Sequence, residues 1–327
     1  MLKFIVIDSG SSASKLMFYD LKNQKNIIEV SNVFNIKNPI LKVLNKIHMS
    51  GKINRKINLP FKQIWDKFYI TEIAKNSKDH YFIIMTNISV KKFRLEYLKE
   101  LQNRKNIDLV LVAVDSFIDK QLSPLNEMKL IRFKYIFSFD ENDCKKYNLI
   151  YTNSLYSKIE NLSYSNYKSD IFFIGRAKDR YNMLKEFAIY ANLRGYKCNF
   201  FILGVKRKMQ EKIPGITYIN RVIKYDKVLP MIQSSKCLLD ITQKGQNGLT
   251  MRVYESIFYN KKLITNNSNV KTNNYYNENY MKIFTTEEEL KNIDLSFIDD
   301  ENSNYFYKGD FSPIKLINYI ITNNDYK

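Results

Sequence analysis

Short apolar runs of β type alternate with amphipathic stretches from one end of the sequence to the other, and few architectures accommodate that alternation. In the first half, residues 4–7, 81–85, 108–114 and 135–139 read as buried strands. Between them, residues 93–101 have helical apolar spacing, and Asp140 is placed to cap the helix that follows it. The second half restarts with Asp170-Ile171-Phe172-Phe173-Ile174-Gly175, then a helix whose apolar face carries Met183, Leu184, Phe187, Ala188 and Ala191. Strands at 199–203, 236–240 and 262–265 follow, with helices near 226–233 and 250–258 between them. Strand and helix alternate in each half, which predicts an α/β chain with two parallel sheets: two Rossmann-like domains facing each other across a cleft.

A chain of 327 residues suits two such domains. We place an N-terminal acceptor-binding domain at 1–155 and a C-terminal nucleotide-sugar-binding domain at 156–311. A last helix within 312–327 is expected to cross back onto the first domain. The polar, Ser-, Asn- and Tyr-rich stretch 154–169 reads as the linker. No apolar run approaches the roughly 18–20 residues of a membrane-spanning helix, and the start lacks the features of a secretory signal. These features predict a cytoplasmic protein. Cys144, Cys198 and Cys237 are too few and too scattered for a disulfide framework or a zinc site, and read as buried thiols.

The formal charge of +19 attracts nucleic acid, anionic membrane or phosphorylated substrates without choosing among them. Basic residues are spread along the whole chain rather than gathered in one arm, so no nucleic-acid partner is expected. A composition rich in Lys, Asn and Ile is the plainer source of the charge.

Ligands of open parallel sheets bind beyond the carboxyl ends of strands, so the segments after each strand of the second half come next. The first is Gly175-Arg176-Ala177-Lys178-Asp179-Arg180: a glycine that permits close backbone approach, then cations at the mouth of a helix. That chemistry suits a diphosphate, although a solvated helix start would look the same. After Asp240 comes a stretch containing Gln246, Asn247, Gly248, Leu249, Thr250, Arg252 and Glu255. Its glycines admit a phosphate to backbone amides. Glu255 either accepts hydroxyl hydrogen bonds from a sugar or ribose, or pairs with Arg252 three positions earlier on the same helix.

With these residues the second half resembles the nucleotide-sugar domain of B-type glycosyltransferases, especially those of bacterial capsule and lipopolysaccharide assembly. The resemblance covers roughly residues 170–284. It rests on Phe173-Ile174-Gly175-Arg176, on Val222 to Pro230 including Tyr225, and on Asn247-Gly248-Leu249-Thr250 to Glu255 followed by Lys261 to Thr265. It implies that Arg176, Lys178 and Arg180 neutralise a leaving diphosphate. By the same resemblance Gly248, Leu249 and Thr250 offer it amides, the segment around Tyr225 meets the base, and Glu255 binds the donor ribose. Many retaining relatives carry a glutamate eight positions before this residue, where this chain has Asn247, so the sugar contact and the stereochemical outcome stay open. The implied reaction is hexosyl transfer from a nucleotide sugar, a substrate rather than a cofactor, to a growing and lipid-linked glycan. No Asp-x-Asp motif is present and cations stand where a metal would act, so metal independence is expected. The positive charge would help to hold such an enzyme peripherally at the inner, anionic membrane face.

The first half resembles the family more weakly, as an acceptor-binding domain, with Ser9, Gly10, Ser11 and Ser12 after the first strand as acceptor contacts. An inverting reaction needs a general base, for which Asp8 and Asp115, both just past strands, are the candidates. His48 and His80 sit in no catalytic spacing. Two rival readings remain. Val6-Ile7-Asp8-Ser9-Gly10 also looks like the first phosphate motif of sugar kinase-like ATPases, but the second glycine-rich loop they require is missing. The other rival is a non-catalytic glycan- or nucleic-acid-binding protein with the same fold.

Overall fold

In the computed structural model the described residues are 1–8, 10, 12–31, 33–54, 56–75, 77–115, 117, 123–159, 168–242, 248–300 and 303–326. Ser9, Ser11, Gln246 and Asn247 therefore lie outside them.

The first unit comprises Met1–Lys158 and Asp310–Lys327. Its strands are β1 (Leu2–Ile7), β2 (Ile27–Ser31), β3 (His80–Thr86), β4 (Ile107–Val112), β5 (Tyr135–Ser138) and β6 (Ile150–Tyr151). They form one parallel sheet in the order β2-β1-β3-β4-β5-β6. Strand alternation sends Ile5, Ile7, Ile83, Met85, Leu109 and Leu111 to one face, where Tyr69, Tyr97 and Leu98 cover them. Phe4, Val6, Phe82, Ile84, Val110 and Val112 go to the other, where Leu316, Ile317 and Ile320 of the helix Ile314–Asn323 pack. With both faces covered, the strands read as continuous apolar runs. Asp140 caps the helix Glu141–Tyr147, its carboxylate accepting from Asn142 N at 2.9 Å and Asp143 N at 3.3 Å.

The second unit, Ile159–Gly309, holds β7 (Ser169–Arg176), β8 (Cys198–Leu203), β9 (Ile216–Ile219), β10 (Ser235–Asp240), β11 (Lys262–Thr265) and β12 (Met281–Ile283). Its sheet, again parallel, runs β12-β11-β10-β7-β8-β9. Leu184, Phe187, Ala188 and Ala191 of the helix Tyr181–Leu193 pack on Ile171, Phe173, Phe200 and Leu239.

Part of the stretch read as a linker is core. Leu155, Tyr156 and Ser157 are buried, Tyr156 N donating to Phe311 O at 2.8 Å and Ser157 Oγ to Met17 O at 3.0 Å. All three cysteines are free, and Cys198 and Cys237 are buried.

One half-buried cation, Lys261, weakens the second unit. Lys261 donates from Nζ to Gln233 O at 2.6 Å, and burial pushes its ammonium down from 10.5 to about 8. The unfolded lysine keeps its proton up to 10.5, so the penalty is full below about 8 and fades as the pH rises from there to 10.5. Lys261→Met is therefore expected to stabilise the protein by about 1–2 kcal/mol near neutral pH, allowing for solvent screening and the lost hydrogen bond. Urea unfolding at neutral pH and again near pH 10 checks it: the advantage must shrink at the higher pH.

Candidate functional site

Both sheets have a point where the strand order reverses. In the second, the chain lays β8 and β9 on one side of β7 and then crosses over to lay β10, β11 and β12 on the other, so the reversal falls between β7 and β10. Crevices outside the carboxyl ends of strands at such a point are where open α/β sheets bind ligands. The segments that follow β7 and β10 therefore meet at this position.

Arg180 fastens them together. Its Nε and Nη2 donate to Arg176 O at 3.2 and 3.1 Å, and Nη1 donates to Ile241 O beyond β10. The guanidinium lies 5.7 Å from the Phe173 ring centroid. Burial works against its charge, while Asp240 and Asp179 favour it. Gly175 is small for this side chain and ring: a Cβ there would meet Phe173 Cζ at 2.9 Å and Arg180 Nη2 at 3.4 Å. The close approach that this glycine permits is thus internal. Arg180 faces the protein, whereas Arg176 and Lys178 are exposed. Lys178 has a left-handed backbone, φ +44°, a strained state for a residue with a side chain and one that gathers at ligand sites.

A third strand end completes the edge. Thr242 N and Oγ1 donate to Asn266 Oδ1 at 2.7 and 2.9 Å, and Asn267 Nδ2 donates to Gly248 O at 3.0 Å, so residues just past β11 hold both ends of the 242–248 segment. Thr250 caps the helix Met251–Phe258, accepting from Arg252 N at 3.2 Å. Asp240, 4% exposed, accepts from Thr265 Oγ1 at 3.0 Å. Burial pushes the Asp240 carboxyl up, against hydrogen bonds from Thr250 and Thr265 and the charges of Arg252 and Arg180. Gly248, Leu249 and Thr250 are partly exposed.

Glu255 makes the Arg252 pairing that was one of its two sequence readings, and makes it in the core. It is fully buried, and its two oxygens accept from the Tyr225 hydroxyl and from Arg252 Nη1. The carboxylate presents no open face in this structure, because Tyr225, itself buried, spends its hydroxyl there. Nor is the Arg252 contact an exposed helix pair, since the Arg252 side chain is only 14% exposed and its guanidinium lies 5.9 Å from the Phe172 ring centroid. Burial pushes the Glu255 carboxyl up, opposed by Arg252 and Tyr225.

The first sheet reverses between β1 and β3. Asp8, directly after β1, is 1% exposed and accepts from Gly10 N. Gly10 has φ +78°, a turn that suits glycine. Ser89 Oγ donates to Ile7 O at 3.0 Å, fixing the segment after β3 against the end of β1. Nearby Lys92 is pushed down by burial, with the Asp8 charge opposing. Asp115, after β4, is partly exposed; Asp8 and Asp115 share the carboxyl edge of one sheet, on strands that each pair with β3. The backbone of Ser12 begins the helix Ser12–Met17. His48 and His80 are engaged elsewhere, His48 with Trp65 and Pro60 and His80 with Asp108.

Asp240, Thr265, Asn266 and Asn267 belong to the second edge and escaped the reading of the sequence. Searching past every strand would have reached Asn266 and Asn267, but the pattern after β11 contains neither glycine nor cation.

No protein-family model matches the sequence, nor does any curated protein. Solved structures do. A UDP-forming α,α-trehalose-phosphate synthase from Burkholderia xenovorans aligns with a TM-score of 0.50 at 9% identity, over 91% of this chain and 92% of that one. The fold is that of the B-type glycosyltransferases. Lower-scoring alignments include the N-terminal domain of a trehalose-6-phosphate phosphatase from Candida albicans, at TM-score 0.47 and 10% identity over 99% and 97% of the two chains. The glycosyltransferase of kitacinnamycin aligns at 0.42 and 8% over 91% and 90%.

Proposed function

We propose that this B-type chain transfers a hexosyl group from a nucleotide-sugar donor, bound at the reversal point of the second sheet, to a lipid-linked surface glycan at the cytoplasmic face of a membrane. The observation that supports it is the Arg180 fastening, which ties the backbone at the exposed Arg176, two residues before exposed Lys178, to Ile241 just past β10, at the edge where such sheets take ligands. Arg176 and Lys178 would meet the diphosphate through charge-assisted hydrogen bonds. As the sugar leaves, negative charge builds on the diphosphate, and fixed cations stabilise that state more than the ground state. No metal is invoked, because these two side chains fill that role in the proposal. The acceptor hydroxyl would be deprotonated at the edge of the first sheet by Asp8 or Asp115 if the reaction inverts.

The test is calorimetric titration of UDP and GDP into the wild-type protein and into Arg176→Ala and Lys178→Ala. Each replacement is expected to weaken the better nucleotide about tenfold while the melting temperature holds. Wild-type affinity in both folded variants would overturn the donor site.

A further inference from the structure

The helix Pro39–His48 is built inside out. Surface helices bury an apolar stripe spaced i, i+3, i+4 and i+7. Here Ile40, Val43, Leu44 and Ile47 occupy that stripe and stand exposed, Ile40 at 70% and Val43 at 59%, while the buried residue of the helix is Asn45. The chain beyond it keeps the inversion. Ile57 and Phe61 are 67% and 69% exposed, while polar side chains on either side of them bond within the segment. Asn54 Nδ2 donates to His48 O and Ser50 O at 2.8 and 2.9 Å, and Asn54 Oδ1 accepts from Leu59 N at 3.1 Å. The Trp65 indole donates to His48 Nδ1 at 2.9 Å, and His48 Nε2 donates to Pro60 O at 2.7 Å. These bonds hold the loop in one shape, including a left-handed Phe61 at φ +58°, strained for so bulky a residue. The apolar face thus stands outward beside a loop tied by half-buried polar contacts.

Charge says what covers it. Every Lys, Arg, Asp or Glu between Glu29 and Asp66 is a lysine or an arginine, and Lys42, Lys46, Lys52 and Lys56 are exposed beside the apolar side chains. Asp66, the acid that ends the stretch, is taken up by Arg94. A second copy of this face would bring lysines against lysines, which disfavours self-association. An anionic bilayer satisfies both features, receiving the apolar side chains at the acyl boundary and the ammonium groups among its phosphates. Among the described residues no helix is long and apolar enough to cross a membrane, so the contact would lie in the interface plane.

We propose that residues 39–54 and 56–64 form an interfacial anchor that seats the first unit on an anionic lipid surface. The proposal rests on exposure and charge alone, and is independent of the donor site. Flotation with vesicles of mixed phosphatidylglycerol and phosphatidylethanolamine, beside phosphatidylcholine vesicles, tests it. The full chain should float with the anionic vesicles, and salt should weaken the association. Ile40→Asn with Ile47→Asn should lower the partition coefficient at least tenfold at any salt, and Lys42→Gln with Lys46→Gln should lower it about thirtyfold at low salt. Both pairs are exposed, so melting and UDP or GDP affinity should stay at the wild-type level; a single Ile40→Asp serves if the double variant fails to fold. Three results would overturn the anchor: no preference for anionic vesicles, wild-type flotation by the Ile40 and Ile47 variant, or a wild-type dimer in light scattering that this variant dissociates while vesicles go unbound.

Discussion

Replacing Glu255 by alanine is expected to lower stability by about 3–5 kcal/mol, because it breaks a largely buried ion pair from one side. Glu255 is fully buried, its oxygens satisfy Arg252 and the Tyr225 hydroxyl, and the Arg252 side chain is 14% exposed. An exposed pair three positions apart would be worth only about 0.2–0.5 kcal/mol, so the two descriptions differ about tenfold in what a melt would show. Removing one partner of a buried pair costs more than replacing both. The double replacement Arg252→Met with Glu255→Met should accordingly destabilise less than Glu255→Ala alone, since apolar side chains of similar volume often substitute for a buried pair at little cost. Urea unfolding of the single and double variants checks this. A Glu255→Ala protein that unfolds at the wild-type urea concentration would refute the buried pair. UDP and GDP titration of the same variant, at a temperature where it stays folded, then separates the donor role from the structural one: normal binding would leave Glu255 as a residue that only holds the helix in place.

Arg180→Ala should cost about 2–3 kcal/mol and loosen the edge of the second sheet, the second largest effect expected. The guanidinium satisfies carbonyls on two segments, Arg176 O and Ile241 O, and its charge helps to offset the buried Asp240 carboxylate. Hydrogen bonds from charged groups contribute about 1.5–3 kcal/mol each, and their loss here leaves oxygens without a donor. Arg180→Lys should rescue little, because a single ammonium on a flexible stem cannot reproduce a planar fork that reaches both carbonyls. Hydrogen exchange gives the local readout. The Thr242 and Thr250 amides should exchange faster in Arg180→Ala, while those of β8 keep their protection. Equal protection at Thr242 would show that Asn266 alone suffices to hold the segment.

These two residues show where reading the sequence reached its limit. The strands at 170–175, 199–203, 236–240 and 262–265 were legible because runs such as Ile171-Phe172-Phe173 are buried on both faces, which needs no alternation to announce it. The Asp140 cap was legible for a local reason: its carboxylate acts on amides within three residues of itself. The edge strands β2, β6, β9 and β12 went unseen; β9 and β12 are only partly buried and lack the continuous apolar run that announced the equally short β11. Orientation was the harder matter. Arg176, Lys178 and Arg180 are equivalent cations in the sequence, and only the position of Ile241 O in the folded chain turns the third inward. Glu255 likewise shares a helix face with Arg252 in any reading, but Tyr225 lies thirty residues away and is what closes the carboxylate off.

The division of the chain also bears on how it is made. The second unit is one uninterrupted stretch, whereas the first is assembled from two segments that flank it, with Leu316, Ile317 and Ile320 sealing a sheet whose Phe4 and Val6 are translated well before the second unit. Domains generally fold as units while the ribosome is still working, the earliest first. Here that order is inverted: the unit translated in the middle can finish its fold while the one begun first still waits for its last helix. A nascent chain stalled between the two would carry one completed domain and one exposed apolar sheet face, the state in which chaperones would be needed most.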